Sequence, residues 1–207
     1  MTSSKGCALA VVSALLLAGC SPVGMAMGAG ATLGVAAAQE GGMRGAATDA
    51  AIRLQVTDSW FKHDFDMYRR LSMTVKEGRV LVTGAVPDPD MRVDAIRLVW
   101  QADGVKQVLN EISVEQEAPG VMASVGDTVS DTWISSNIKT RLLLDKDVDS
   151  INYSVESASG NVYLMGVARD QAELDRVIDT ARNAGSVKNV VSYVRLRHEN
   201  PATIAAN

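Results

Sequence analysis

The chain contains one segment twice, and this internal repeat constrains its fold more than any other feature of the sequence. A shift of 82 residues aligns residues 49–117 with residues 131–199 without a gap. Identical residues recur at equivalent positions, among them Gly78 and Gly160, Gly84 and Gly166, and Ala102 and Ala184. Each copy has about 70 residues, which is small but sufficient for one hydrophobic core. The repeat therefore predicts two tandem domains of the same fold.

The first predicted element of each copy is an amphipathic helix. In the second copy, Ile134, Ile138 and Leu142 recur at every fourth position, which places them on one apolar stripe. Asp131 precedes the stripe, and we expect its carboxylate to cap the free backbone N–H groups of the helix N-terminus. The equivalent core residues of the first copy are Ile52, Val56 and Trp60.

Strands and a second helix follow in the same order in both copies. Residues 153–155 and 162–164 have the character of two strands, and Gly160 supplies the turn between them because glycine tolerates a positive φ. Asp170 begins the second helix, and residues 187–196 alternate as a last strand. The corresponding helix of the first copy is predicted to face inward through Val93, Ile96 and Val99. The fold class is therefore α/β (α+β), with the order helix, strand, strand, helix, strand in each copy.

The N-terminus has the pattern of a lipoprotein export signal. Lys5 is followed by an apolar run that is too short to span a bilayer, for which about 20 residues are needed. Leu17-Ala18-Gly19-Cys20 resembles a lipobox, in which the chain is cut before the cysteine and the cysteine is acylated. We predict a signal peptide at 1–19 and an acylated Cys20, whose several chains would hold the protein on a membrane. The alternative is an ordinary signal peptide with a chance cysteine.

Segments of simple composition flank the two copies. Residues 20–48 are rich in Gly, Ala and Met and carry few charges, which favours a flexible tether. Glycines four residues apart in this stretch also allow a membrane-hugging or self-associating segment. Residues 118–130 contain Pro119 and two glycines and are predicted to be a linker, and residues 200–207 form a tail.

Both copies carry motifs that resemble the BON domain family. The motifs are Gly78-Arg79-Val80-Leu81-Val82-Thr83-Gly84 and Gly160-Asn161-Val162-Tyr163-Leu164-Met165-Gly166, each followed by an acidic helix start and a Gly/Ser-Val-Lys-x-Val segment. This resemblance implies that the helices of each domain pack on one face of a three-stranded mixed sheet.

The lipobox, the tether and the two BON copies together resemble dual-BON outer-membrane lipoproteins. The likeness is closest in the second copy, at Ser130-Asp131-Thr132-Trp133-Ile134 and at Leu164-Met165-Gly166. It implies a lipid-anchored protein on the periplasmic face of the outer membrane that binds anionic phospholipid through its second BON domain. It also implies a role in outer-membrane integrity and a link to the outer-membrane protein assembly machinery.

The repeat also separates core positions from candidate functional positions, because a residue that the fold requires should be apolar in both copies. Trp133 is equivalent to Ala51, and Leu144 is equivalent to Lys62. An indole favours the bilayer interface, and a basic side chain near an anionic surface contributes about 1 kcal/mol. The predicted lipid-binding residues are Trp133, Asn137, Lys139, Arg141 and Leu144. The alternative is that Trp133 packs on the first domain or on the linker.

The sequence contains no recognisable catalytic or metal-binding pattern. His63 and His198 are the only histidines, and neither has the spacing of a metal ligand. The acids at 145–149 alternate as in a calcium loop but lack the glycine and the closing glutamate. A net charge of −4 argues against nucleic acid as a partner. We therefore predict a protein that is not an enzyme, without a cofactor, metal or small-molecule substrate. The alternative function is a periplasmic protein-interaction scaffold or chaperone-like adaptor that acts on envelope assembly proteins.

Overall fold

The computed structural model describes residues 42–115 and 121–197. The predicted signal peptide, Cys20, most of the tether and the tail lie outside these residues. Domain 1 contains α1 (Gly42–His63), α2 (Phe65–Arg70), β1 (Leu71–Lys76), β2 (Arg79–Val86), α3 (Pro89–Trp100) and β3 (Gln107–Val114). Domain 2 contains α4 (Val121–Leu144), a 3₁₀ turn (Ser150–Asn152), β4 (Tyr153–Ala158), β5 (Asn161–Ala168), α5 (Gln171–Arg182) and β6 (Asn189–Leu196). Among the helices described, none has both the length and the apolar character needed to cross a bilayer.

Each domain is built on one three-stranded mixed sheet, which confirms the predicted fold. In domain 1 the strand order is β1-β2-β3, with β1 and β2 antiparallel and β2 and β3 parallel. Domain 2 repeats this arrangement with β4, β5 and β6. A two-residue turn can join the antiparallel pair, whereas the parallel pair requires a crossover, which α3 and α5 provide.

The helices cover one face of each sheet and enclose the core there. Ile52, Val56 and Trp60 on α1 are buried, as predicted, and the indole Nε1 of Trp60 donates to the backbone oxygen of Ala95 at 3.1 Å. The prediction for Val93 is wrong, because this side chain is 64% exposed. The buried stripe of α3 consists of Ala95, Leu98 and Val99, and Val93 lies on the other side of that helix.

Asp131 holds a hairpin turn and does not cap a helix. The N-cap interpretation is wrong because α4 begins at Val121, inside the segment expected to be a linker, so that Asp131 lies within the helix. Its carboxylate accepts hydrogen bonds from the backbone N–H groups of Ser159 at 2.7 Å and Gly160 at 2.9 Å, and from the hydroxyl of Ser157 at 2.7 Å. Ser159 and Gly160 have φ angles of 52° and 79°. The helix therefore fixes the β4–β5 turn in its left-handed conformation.

Domain 1 repeats this contact at the equivalent positions. The carboxylate of Asp49 accepts from the backbone N–H groups of Glu77 and Gly78, both at 2.8 Å. These two turn residues also have positive φ angles, 55° and 78°. An aspartate recurs at this position of the repeat because in both copies its carboxylate binds the backbone N–H groups of the hairpin turn.

The two sheets pack against each other through the faces that their helices leave open. Leu81 and Leu109 of domain 1 form a buried cluster with Tyr163 and Met165 of domain 2. At the edge of this interface, Arg195 pairs with Glu77, and Lys76 Nζ donates to the backbone oxygen of Ile151 at 3.3 Å. The layers therefore follow the order helices, sheet, sheet, helices, with both helical layers on the outside.

An approximate two-fold axis relates the domains, because equivalent positions of the repeat contact each other. Thr74 Oγ1 donates to Glu156 Oε2 at 3.3 Å, and these residues are 82 positions apart. The hydroxyl of Tyr193 donates to Glu111, which is also 82 positions away. Self-matching contacts of this kind are those of an isologous dimer interface. The helices of domain 1 therefore face the direction opposite to those of domain 2.

Candidate lipid-binding surface

The exposed side of α4 carries large apolar side chains next to cations. Trp133 is 56% exposed and Leu144 is 75% exposed, and Leu143 is exposed as well. At this exposure, the described residues of domain 1 do not bury Trp133. Trp133 and Leu144 lie on the same flank of the helix as Arg141, which agrees with the predicted arrangement. Whether this surface binds lipid stays a prediction.

Asn137 positions the side chain of Arg141. Its side chain is half-buried, and its amide Nδ2 donates to the backbone oxygen of Ala184 at 3.1 Å. Its Oδ1 accepts from Arg141 Nε at 2.9 Å, while Arg141 Nη1 donates to the backbone oxygen of Asn183 at 3.1 Å. The guanidinium is thus fixed between α4 and the end of α5.

Lys139 is exposed but lies apart from Arg141. A helix turns about 100° per residue, so two residues separate the two side chains by about 200° around α4. The apolar residues Trp133, Leu143 and Leu144 lie between them on the outer side of the helix. The structure therefore places one cation on each flank of the apolar strip, and does not bring the two cations together.

An open groove of about 650 Å³ runs between α4 and α5 beside this strip. Its lining is mostly charged: Arg141, Asp145, Ala172, Asp175, Arg176, Asp179, Thr180 and Asn183. Arg176 pairs with two acids of the loop after α4, at 3.7 Å to Asp145 and 3.4 Å to Asp147. The groove continues the flank that holds Arg141.

Domain 1 has a second exposed apolar surface, which the sequence reasoning missed. Phe61, Phe65 and Tyr68 form an aromatic cluster, with ring centroids 6.0 Å apart for the two phenylalanines and 5.5 Å apart for Phe61 and Tyr68. All three side chains are exposed. The repeat carries a signal for this surface, because Phe65 and Tyr68 are equivalent to Asp147 and Ser150, so that these two positions are aromatic in the first copy only.

The buried acid of domain 2 is structural. The carboxylate of Glu173 accepts from the backbone N–H groups of Asp149 and Arg169, both at 2.7 Å. Burial, together with this carboxylate, raises the pKa of Tyr153. Throughout residues 42–115 and 121–197, no three side chains of His, Cys, Asp or Glu come together as a metal site.

Comparison with known proteins identifies the family of the repeat. Residues 48–116 and 130–198 match the BON domain. The uncharacterized protein of the gshII 5′ region from Anaplasma centrale is 40% identical over 150 residues, which are 72% of this chain and 95% of that protein. Outer membrane lipoprotein DolP of Haemophilus influenzae is 28% identical over 126 residues, 61% of this chain and 62% of that protein. Osmotically-inducible protein Y of Escherichia coli is 30% identical over 149 residues, 72% of this chain and 73% of that protein. The predicted resemblance to dual-BON proteins is confirmed.

Proposed function

Since the chain belongs to the BON domain family, we propose that it is an outer-membrane lipoprotein that binds anionic phospholipid through α4 and supports outer-membrane integrity. It acts as a binding protein and not as an enzyme. The DolP relative is named as an outer membrane lipoprotein, and the lipobox at Cys20 supports an anchor on the periplasmic face. The observation that carries the proposal is the exposed strip of Trp133, Leu143 and Leu144.

Membrane contact follows from the chemistry of this strip. An indole at the interface places its apolar ring toward the acyl chains and its N–H toward water. Arg141 and Lys139, on the two flanks, reach the phosphates, each contributing about 1 kcal/mol near an anionic surface. The acyl anchor keeps domain 2 near the bilayer, so that even weak contacts of α4 are populated. The proposal includes proteins of the outer-membrane assembly machinery as partners at the same membrane.

The test is co-flotation of residues 21–207, without acyl groups, with liposomes that contain or lack phosphatidylglycerol. We expect binding only with the anionic lipid, and a loss of binding in Trp133→Ala. Trp100→Ala is the matched control, because Trp100 is an exposed indole of domain 1, at 52% exposure. Equal binding of both variants and the wild type, or no binding of the wild type, would contradict the proposal.

A second candidate function, a protein-interaction scaffold, is favoured by the aromatic cluster of domain 1. Phe61, Phe65 and Tyr68 lie in the helical layer opposite to that of α4. The basic residues next to them in sequence are already paired with acids, Lys62 with Asp58 at 2.7 Å and Arg69 with Asp66 at 2.6 Å. Aromatic centres with polar rims are typical of protein interfaces. In this function, Phe61→Ser should abolish cross-linking to purified envelope assembly proteins in detergent and leave liposome binding unchanged. Unchanged cross-linking would exclude this surface.

A further inference from the structure

The groove between α4 and α5 presents opposite charges on its two walls. Arg141 lies on the α4 wall, and Asp175 and Asp179 lie on the α5 wall. We infer that this groove binds a zwitterionic lipid headgroup, the phosphoethanolamine group, with its phosphate on Arg141 and its ammonium between the two aspartates. This inference rests on the proposed function and adds a headgroup preference to it.

Two hydrogen bonds within the protein fix the guanidinium of Arg141 in an orientation that suits a phosphate. Its Nε and Nη1 donate to Asn137 and to the backbone oxygen of Asn183. A guanidinium has five N–H donors in a rigid plane, and a phosphodiester accepts such donors in pairs. Among the described residues, no hydrogen bond uses Nη2 of Arg141, so the N–H groups of this atom remain for a phosphate oxygen. A side chain that is fixed in advance loses little conformational freedom when the phosphate binds.

The α5 wall suits a cation that can donate hydrogen bonds. Asp175 and Asp179 are one helical turn apart, so both carboxylates line the same side of the groove. Arg176, the other cation of the groove, is engaged by Asp145 and Asp147. Asp179 also forms an exposed ion pair with Arg182 at 3.8 Å, and Asp175 accepts a hydrogen bond from Gln171 Nε2 at 2.7 Å. An exposed pair of this kind is weak, and the groove lining has three acids against two cations. A ligand with phosphate alone would therefore meet net negative charge at this wall. A primary ammonium removes that repulsion and donates to the carboxylates, whereas a choline group has no N–H to donate.

The fold does not require these charges. The equivalents of Arg141, Asp175 and Asp179 in domain 1 are Ser59, Val93 and Arg97. Domain 1 folds in the same way without them, so their presence in domain 2 has another cause. The position of the groove points to lipid binding as this cause, because Arg141 shares a flank of α4 with Trp133 and Leu144. A lipid whose headgroup enters the groove therefore has its acyl chains beside the apolar strip.

The test is co-flotation of residues 21–207 with two liposome series. Both contain the same minor fraction of phosphatidylglycerol, and the remainder is either phosphatidylethanolamine or phosphatidylcholine. We expect about three-fold tighter binding to the ethanolamine series, the scale of exposed ionic contacts. Asp175→Asn combined with Asp179→Asn should remove this preference while binding to the choline series is retained. Asp90→Asn combined with Asp103→Asn, two exposed acids of domain 1, is the charge-matched control and should keep the preference.

The outcomes separate the two proposals. Phosphatidylethanolamine also changes bilayer packing, but a packing effect would persist in the Asp175/Asp179 variant. A preference that persists in that variant, or equal binding of the wild type to both series, overturns the headgroup inference and leaves the lipid-binding function in place. Absence of wild-type binding to either series overturns both. Circular dichroism of each variant, with an unchanged unfolding midpoint, shows that a lost preference is not a loss of fold.

Discussion

Replacing Asp131 by serine tests the claim that this residue holds the β4–β5 turn. Serine is close to aspartate in helix propensity, so the substitution leaves the intrinsic stability of α4 nearly unchanged. Its hydroxyl is too short to reach the two backbone N–H groups and the hydroxyl of Ser157 that the carboxylate binds at 2.7–2.9 Å. The substitution therefore removes three hydrogen bonds in one step.

The magnitude follows from those three bonds. Hydrogen bonds to charged groups contribute about 1.5–3 kcal/mol each, but Asp131 is only half-buried, so about 1 kcal/mol each is the appropriate scale after solvent screening. We expect Asp131→Ser to lower the free energy of unfolding by about 3 kcal/mol, which for a chain of this size corresponds to a fall in Tm of about 6–12 °C. Asp49→Ser removes only two such bonds and should cost about 2 kcal/mol.

Urea denaturation followed by circular dichroism measures these losses, and hydrogen exchange of the amides of Ser159 and Gly160 locates them. Asp103→Ser, at an exposed turn of domain 1, is the control and should leave the unfolding midpoint unchanged. If Asp131 were an N-cap, serine would replace it at almost no cost, since serine and aspartate are nearly equal in that role. A wild-type unfolding midpoint for Asp131→Ser would therefore refute the reasoning.

Three further substitutions test the core, the domain interface and its pH dependence. Trp60→Phe should lower the unfolding free energy by about 2 kcal/mol in urea denaturation, because it removes indole volume and the donor to the backbone oxygen of Ala95; an unchanged value would show that this bond contributes nothing. Leu81→Ala should cost about 2–4 kcal/mol and accelerate hydrogen exchange in both domains, whereas acceleration in domain 1 alone would contradict a shared interface cluster. Burial and the bond to Glu111 raise the pKa of Tyr193. The contribution of Tyr193 to the free energy of unfolding is therefore complete below the ordinary tyrosine pKa of about 10 and is lost as the pH rises above that value. Tyr193→Phe should consequently lose less stability than the wild type between about pH 9 and about pH 11, and parallel curves would show that Tyr193 has no such role.

The repeat made much of the fold predictable, because two copies provide two readings of one pattern. Apolar periodicity and turn residues predicted the main helices and strands in order and the burial of Ile52, Val56 and Trp60. They did not predict the short helix α2 of domain 1 or the 3₁₀ turn of domain 2. Periodicity failed for Val93, because a short helix contains more apolar residues than its buried stripe can hold. It also failed for Asp131, because an aspartate before an apolar stripe has the same pattern whether the helix begins there or earlier.

The candidate site was predictable only where it depends on one helix. Trp133, Leu144 and Arg141 share a flank of α4 because helical geometry fixes their spacing. The role of Asn137 required the position of the loop after α5, which supplies the backbone oxygen of Ala184. The groove required the packing of α4 against α5. No pattern within one copy determines contacts between elements that are distant in sequence.

The two-fold relation between the domains has a consequence for the two proposed surfaces. A flat bilayer can contact only one of two faces that point in opposite directions. If α4 contacts lipid, the aromatic cluster around Phe61 remains accessible to a protein partner, and the two surfaces do not compete. The copies are therefore free to differ on their outer helices while the buried positions that both need remain alike. Both sheets separate the two surfaces. The effects of Trp133→Ala and Phe61→Ser on the free energies of lipid binding and partner binding should therefore be additive in the double variant. Strong coupling between them would instead require a single ligand that touches both helical layers.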